Sequence, residues 1–251
     1  LFSEQFAAEH PGEKIRVTPS HGGSGSQARA VIDGLPADVV TLAMFPDTDA
    51  IRKKDLIAKD WIKRFPHNSC PYTSTIVFAV RKGNPFGIRD WDDLTRGDNL
   101  QIVAANPKTS GAAKLGVIAA WGSVRAAGGS IADADALVTG IYRRVPALES
   151  SARGATVTFA RKLIGDVHLT WENEAWLELR ELKGEIELVY PKRSIRAEPH
   201  VTVVDANVDR NGTRDIAEAY VRFLYSPAAQ QVIAENYLRP TEVQPTNGTA
   251  F

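Results

Sequence analysis

The chain has 251 residues, enough for one large domain or two modest lobes. With 43% hydrophobic and 24% charged residues it has the composition of a soluble globule, and no apolar run reaches the ~20 residues of a membrane span. Thirty basic residues balance thirty acidic ones, which argues against a nucleic-acid partner and means that any anion site must be built locally. The single cysteine, Cys70, excludes an intrachain disulfide and, with five scattered histidines, any familiar zinc spacing; a buried spectator thiol is expected. The chain opens on Leu1 and carries no visible signal peptide, as expected of a processed or truncated product.

In chain order, residues 1–10 place Leu1, Phe2 and Phe6 on one face of a short helix, stopped by Pro11-Gly12. Lys14–Thr18 alternates like a half-buried strand. A glycine-rich turn, Ser20–Ser26, leads into a helix through Ile32, and Ala37–Met44 is a nearly continuous apolar run of the kind covered on both faces. Strand, glycine turn, helix and strand together predict an α/β class. Pro71–Val80 reads as a strand closed by Arg81–Pro85. Leu100–Ala105 is the next strand, followed by Asn106–Gly111 and a long apolar helix over Ala112–Ala127. Ser150–Gly154 opens another helix, Val167–Trp171 and His200–Asp205 read as strands, and helices are expected over Ile216–Tyr225 and Ala228–Asn236.

Three loops share one character: at Ser24, Ser110 and Ala152 a turn of small residues runs into a helix. A helix N-terminus exposes unpaired N–H groups and about half a positive charge. Three converging termini would supply roughly 1.5 charges to a divalent anion without a contacting lysine or arginine. Ordinary capping explains any one of these loops equally well. Other readings of the glycine turn are weaker. Gly23–Ala28 fits a loosened dinucleotide pattern, but its helix is short; no P-loop sequence occurs; and His21-Gly22-Gly23 lacks a nucleophile elbow, since Ser26 stands where glycine is needed. No enzyme activity is expected.

Seven blocks in order, SHGGSG (20–25), GLPADVVTLA (34–43), PYTSTIVFAVRKGNP (71–85), NPKTSG (106–111), AAWG (119–122), IGDVHLTWENEA (164–175) and AEPHVTVVD (197–205), resemble the sulfate/thiosulfate-binding protein family. The resemblance implies a two-lobed, type II periplasmic binding protein fold, its lobes joined by two crossover strands near Thr75–Val80 and Pro199–Val204. Residues 1–79 and 203–251 would form one lobe and 80–202 the other. Carried over position by position, the ligand-binding groups would be the hydroxyl of Ser24, the hydroxyl of Ser110 with the amides of Gly111 and Ala112, the Ala152 amide and the indole N–H of Trp171. Gly23 and Arg153 would support them from behind, and Asp47 and Glu172 would serve as helix caps or lobe–lobe bonds. Ala112 stands where the family commonly has glycine; only its N–H is required. The family pattern also has a strand and an aspartate-bearing loop ahead of the first helix here, and a segment after Tyr237–Pro240.

The implied function is capture of sulfate or thiosulfate in the cleft and delivery to the membrane permease of an ABC importer, in the periplasm, by a monomer without cofactor, metal or nucleic acid. The alternatives are a receptor for another oxyanion, molybdate or phosphate, and an effector-binding regulatory domain. Phosphate is disfavoured because no matched residue is an acidic acceptor.

Overall fold

The structure is a computed structural model and describes residues 1–242. Nine strands occur among these: β1 (Val39–Leu42), β2 (Tyr72–Arg81), β3 (Ile102–Ala105), β4 (Leu148–Glu149), β5 (Val167–Trp171), β6 (Ile186–Val189), β7 (Arg196–Ala197), β8 (His200–Val203) and β9 (Arg239–Pro240). They fall into two sheets. The first is the antiparallel pair of β1 and β8, with Val39 opposite Val203 and Leu42 opposite His200. The second runs in the order β4, β3, β5, β2, β6, with β7 and β9 also paired to β2.

Strand β2 is the long organising element. Its β-branched and aromatic run, Ile76–Val80, is fully buried, and the period of two sends alternate side chains to opposite faces. Ile76, Phe78 and Val80 enter one apolar cluster with Trp91, Ile102 and Leu115. Val77 and Ala79 enter another with Val103, Phe159 and Ala175. Its first four residues pair elsewhere, Tyr72 and Thr73 with β9, Ser74 and Thr75 with β7. The small sheet is likewise covered twice, Val40 and Leu42 packing with Ile51 and Trp61, Val201 and Val203 with Phe65 and Val221. This is the α/β, two-lobed architecture expected.

Strands β3, β4 and β5 are mutually parallel through β3, so their carboxyl ends share one edge of the sheet. Ligand sites in α/β sheets lie beyond such ends, where helices begin. The helices Gly111–Ala126 and Glu172–Glu181 follow β3 and β5, and Ala152–Thr156, extended by a π-turn over Val157–Arg161, follows β4.

One predicted strand does not form. Lys14–Thr18 has no strand hydrogen bonds, and Val17 is 49% exposed. Alternation makes a strand only where a neighbour accepts its backbone hydrogen bonds, and among the described residues β1 pairs with β8 alone. The first helix, Phe2–Glu9, forms and buries Phe2 and Phe6, with Phe2 edge-on to Tyr220; Leu1 faces solvent. No helix among the described residues is long and apolar enough to cross a membrane.

Candidate functional site

The three small-residue turns begin helices as their composition predicts. Gly23 is the N-cap of Ser24–Ile32, Ser110 of Gly111–Ala126 and Ser151 of Ala152–Thr156. Ser151 accepts from the Gly154 amide at 3.1 Å and Ser110 from the Ala113 amide at 3.4 Å. Ser24 is not a cap: its hydroxyl accepts from the Ala43 amide at 3.0 Å, which ties the first turn to the carboxyl end of β1. Small residues here are a packing requirement. A Cβ on Gly23 would lie 2.3 Å from the Thr109 carbonyl oxygen and 3.1 Å from that of Ser150; a Cβ on Gly111 would lie 2.6 Å from the Ala43 Cβ and 2.9 Å from the Ser24 Cβ. The first helix beginning therefore meets the turns before the other two at their backbones, and the second packs on the small side chains of Ser24 and Ala43.

They meet on a cavity of about 530 Å³. All eight residues singled out from the sequence line it: Gly23, Ser24, Ser110, Gly111, Ala112, Ala152, Arg153 and Trp171. Trp171 ends β5, opposite Ile76 of β2, and is the N-cap of the helix that follows. Its indole Nε1–H is buried and finds no hydrogen-bond partner among the described residues. A buried donor without an acceptor is costly, of order 1–3 kcal/mol, and in a cavity wall marks a place for an acceptor. Arg153 also reaches back, to Glu174 and Glu181 at 3.4 Å each.

Two charged contacts flank the cavity. Lys114 Nζ donates to Asp47 Oδ1 at 2.6 Å, joining the helices Gly111–Ala126 and Phe45–Arg52. Glu172, with no exposed side-chain surface, accepts from Arg239 at 2.7 and 2.9 Å and from the Tyr190 hydroxyl at 2.9 Å. Asp47 and Glu172 thus make bonds between elements distant in sequence, as their position suggested. Burial first, then the Glu172 carboxylate, pushes the Tyr190 phenol up to about 12.

Several wall residues escaped the sequence reading, among them Tyr72, Asn173 and Glu174. Glu174 is a carboxylate in the wall, but Thr156 Oγ1 donates to it at 2.8 Å and Arg153 pairs with it, so it is already engaged. The signal for Asn173 and Glu174 was their adjacency to Trp171; Tyr72 reaches the wall through the pairing of β2 with β9, which no local pattern announces.

A cleft lined by helix N-termini at the carboxyl ends of parallel strands, in a two-sheet α/β chain, defines the class of two-lobed solute-binding proteins. The model of the family described as bacterial extracellular solute-binding protein matches residues 2–239. The chain is 48% identical over 248 residues to a sulfate-binding protein of Escherichia coli, covering 97% of this chain and 75% of that protein. It is also 48% identical over 241 residues to a thiosulfate-binding protein of Pseudomonas aeruginosa, covering 95% and 72%. The solved structure of the sulfate-binding protein SubI from Mycobacterium tuberculosis superposes with a TM-score of 0.84 at 30% identity, over 95% of this chain and 81% of that one. The chain belongs to the sulfate/thiosulfate-binding family of bacterial extracellular solute-binding proteins. Membership makes it a binding protein rather than an enzyme.

Proposed function

We propose that the chain binds sulfate in the cleft between its lobes and delivers it to the membrane permease of an ABC importer, as a periplasmic monomer. The observation that carries this reading is the orphaned indole N–H of Trp171 in a wall to which three helix N-termini contribute. Such a wall offers donors and partial positive charge, and Glu174, its one carboxylate among the described residues, is held by Thr156 and Arg153. That suits an oxyanion that is fully ionised and has only acceptors to offer. The donors in this reading are the hydroxyls of Ser24 and Ser110, the amides of Gly111, Ala112 and Ala152, and the Trp171 indole, with Gly23 and Arg153 behind them. A micromolar affinity, about −8 kcal/mol, is what charge-assisted bonds offset by dehydration of a divalent anion would leave.

The lobes in this reading are residues 1–79 with 203–251, and 80–202. The change of partners within β2, from β7 at Thr75 to β5 at Ile76, and the pairing of all of β8, from His200 onward, with β1 support handovers in these two regions, each a few residues ahead of those bounds. Residues 243–251 of the first lobe lie outside the described residues.

Thiosulfate is the second reading, because it fits the same donors and a 48% identical relative carries that name. Calorimetric titration with sulfate, competed by thiosulfate, molybdate and phosphate, tests both. Saturable sulfate binding that phosphate leaves untouched is expected, with Trp171→Phe and Ser110→Ala each weakening it by about 1–3 kcal/mol. Sulfate affinity unchanged in both variants would remove the site assignment, and thiosulfate outcompeting sulfate would reverse the order of ligands.

A further inference from the structure

Trp171 and Arg239 are 68 positions apart in sequence, yet both are anchored to β2, Trp171 opposite Ile76 and Arg239 opposite Thr73. Three residues of strand, roughly 10 Å, separate those anchors, and the Arg239 side chain spans the interval to reach Glu172, the residue after Trp171. The guanidinium grips both carboxylate oxygens, at 2.7 and 2.9 Å, a fork geometry that fixes direction as well as distance. Tyr190 adds a third bond to Glu172 and itself accepts from the Trp176 indole at 3.2 Å. The Trp176 ring stacks on Tyr237 at 5.7 Å, two residues before Arg239. Thus the first and second turns of the helix Glu172–Glu181 are both bound to the segment Tyr237–Arg239, whose Leu238 lines the cavity.

An acidic residue in the first turn of a helix ordinarily sits in water beside the free N–H groups. Glu172 instead is fully buried and turned onto Arg239, so its role is tertiary. Trp171 itself has no side-chain cap bond, and its indole N–H has no partner among the described residues. Among the described residues no polar partner holds the indole's direction; its ring packs against the cluster of Ile76 and Phe78, and the backbone it hangs from continues directly into the anchored Glu172.

We infer that the Arg239–Glu172 pair is a positioning device for the Trp171 indole donor, fixing the first helical residue after Trp171 and so aiming the N–H into the cleft. The inference rests on the reading of Trp171 as an anion donor. Arg239 and Glu172 are positioning residues: neither lines the cavity.

The test combines two readouts. In 15N–1H spectra of the anion-free protein, the Trp171 indole signal is assigned by its loss in Trp171→Phe. It is expected to shift or broaden in Arg239→Gln, less so in Arg239→Lys, which keeps the charge and the buried carboxylate paired, while the Trp91 indole, bonded to the Arg193 carbonyl, stays put. Sulfate affinity is expected to fall about 10-fold in Arg239→Gln but less than about 2-fold when the same change is made in Trp171→Phe. An unmoved Trp171 indole signal, or an equal loss in both backgrounds, overturns the positioning role. If Trp171→Phe binds sulfate like the wild type, the donor reading falls instead, and the indole signal of the anion-free variants still decides whether the pair positions the ring.

Discussion

Replacing Gly23 by alanine is a one-methyl wedge between the three turns that form the cavity. Gly23 has φ −62 and ψ 139, which alanine adopts freely, so no backbone strain accompanies the change. The added Cβ would lie 2.3 Å from the Thr109 carbonyl oxygen and 3.0 Å from its carbon, where ordinary contact begins at 3.4 Å. These are backbone atoms of another turn, so the turns must part by about 1 Å. A hydrogen bond of ~2.9 Å stretched that far is no longer one. Losing two charge-assisted bonds from one wall, at about 1.5 kcal/mol each, costs roughly 3 kcal/mol, or about 100-fold in sulfate affinity. The clash lies between turns and not inside an apolar cluster, so the midpoint of thermal unfolding should move by less than about 3 °C. Titration calorimetry and scanning calorimetry on the same sample give both numbers. Gly116→Ala is the control: its Cβ meets nothing within 4 Å inside the helix Gly111–Ala126, so affinity should hold and stability rise by about 0.5–1 kcal/mol. Wild-type affinity in Gly23→Ala would refute the close meeting of the turns as the basis of the site.

Cys70 is 3% exposed and burial pushes its thiol up to about 11, so the native protein should resist alkylation at pH 8 and react fully once unfolded in denaturant; rapid native labelling would contradict this. Asp205 bridges Arg64 and Arg214 and accepts from the Ala58 amide. Burial alone would raise its carboxyl, but these partners outweigh burial and hold it below the ordinary 3.8. A depressed carboxyl stabilises the fold above its unfolded value and loses that contribution as pH falls through the folded one. Urea unfolding should therefore show Asp205→Asn less stable than wild type at pH 7, with the gap closing below pH 3.8. Leu163 is 67% exposed with φ +57, a conformation that burdens a side chain by about 1–2 kcal/mol, so Leu163→Gly should raise stability by roughly 0.5–1 kcal/mol in the same assay; a loss would show that the leucine makes a contact worth more than the strain.

What the sequence by itself determined is the local part of this molecule. The strand Val167–Trp171, the long helix after Ser110 and the three small-residue helix beginnings follow from periodicity and capping chemistry, which act over a few residues. The resemblance of whole blocks then named the candidate donors, and the fold gathers them onto one cavity. Lys14–Thr18 shows the limit: its alternation is as good as that of a strand, but a strand exists only where a partner's backbone is present to bond it. Only the tertiary structure decided that Gly23 must be glycine, because the atoms it avoids belong to Thr109 and Ser150. The same holds for Glu174, engaged by Thr156 and Arg153, and for Glu172, which in sequence reads as a helix cap or a lobe–lobe bond and which packing buries against Arg239. A carboxylate's role depends on which cation reaches it and on the water removed around it, and both are set by how distant segments pack.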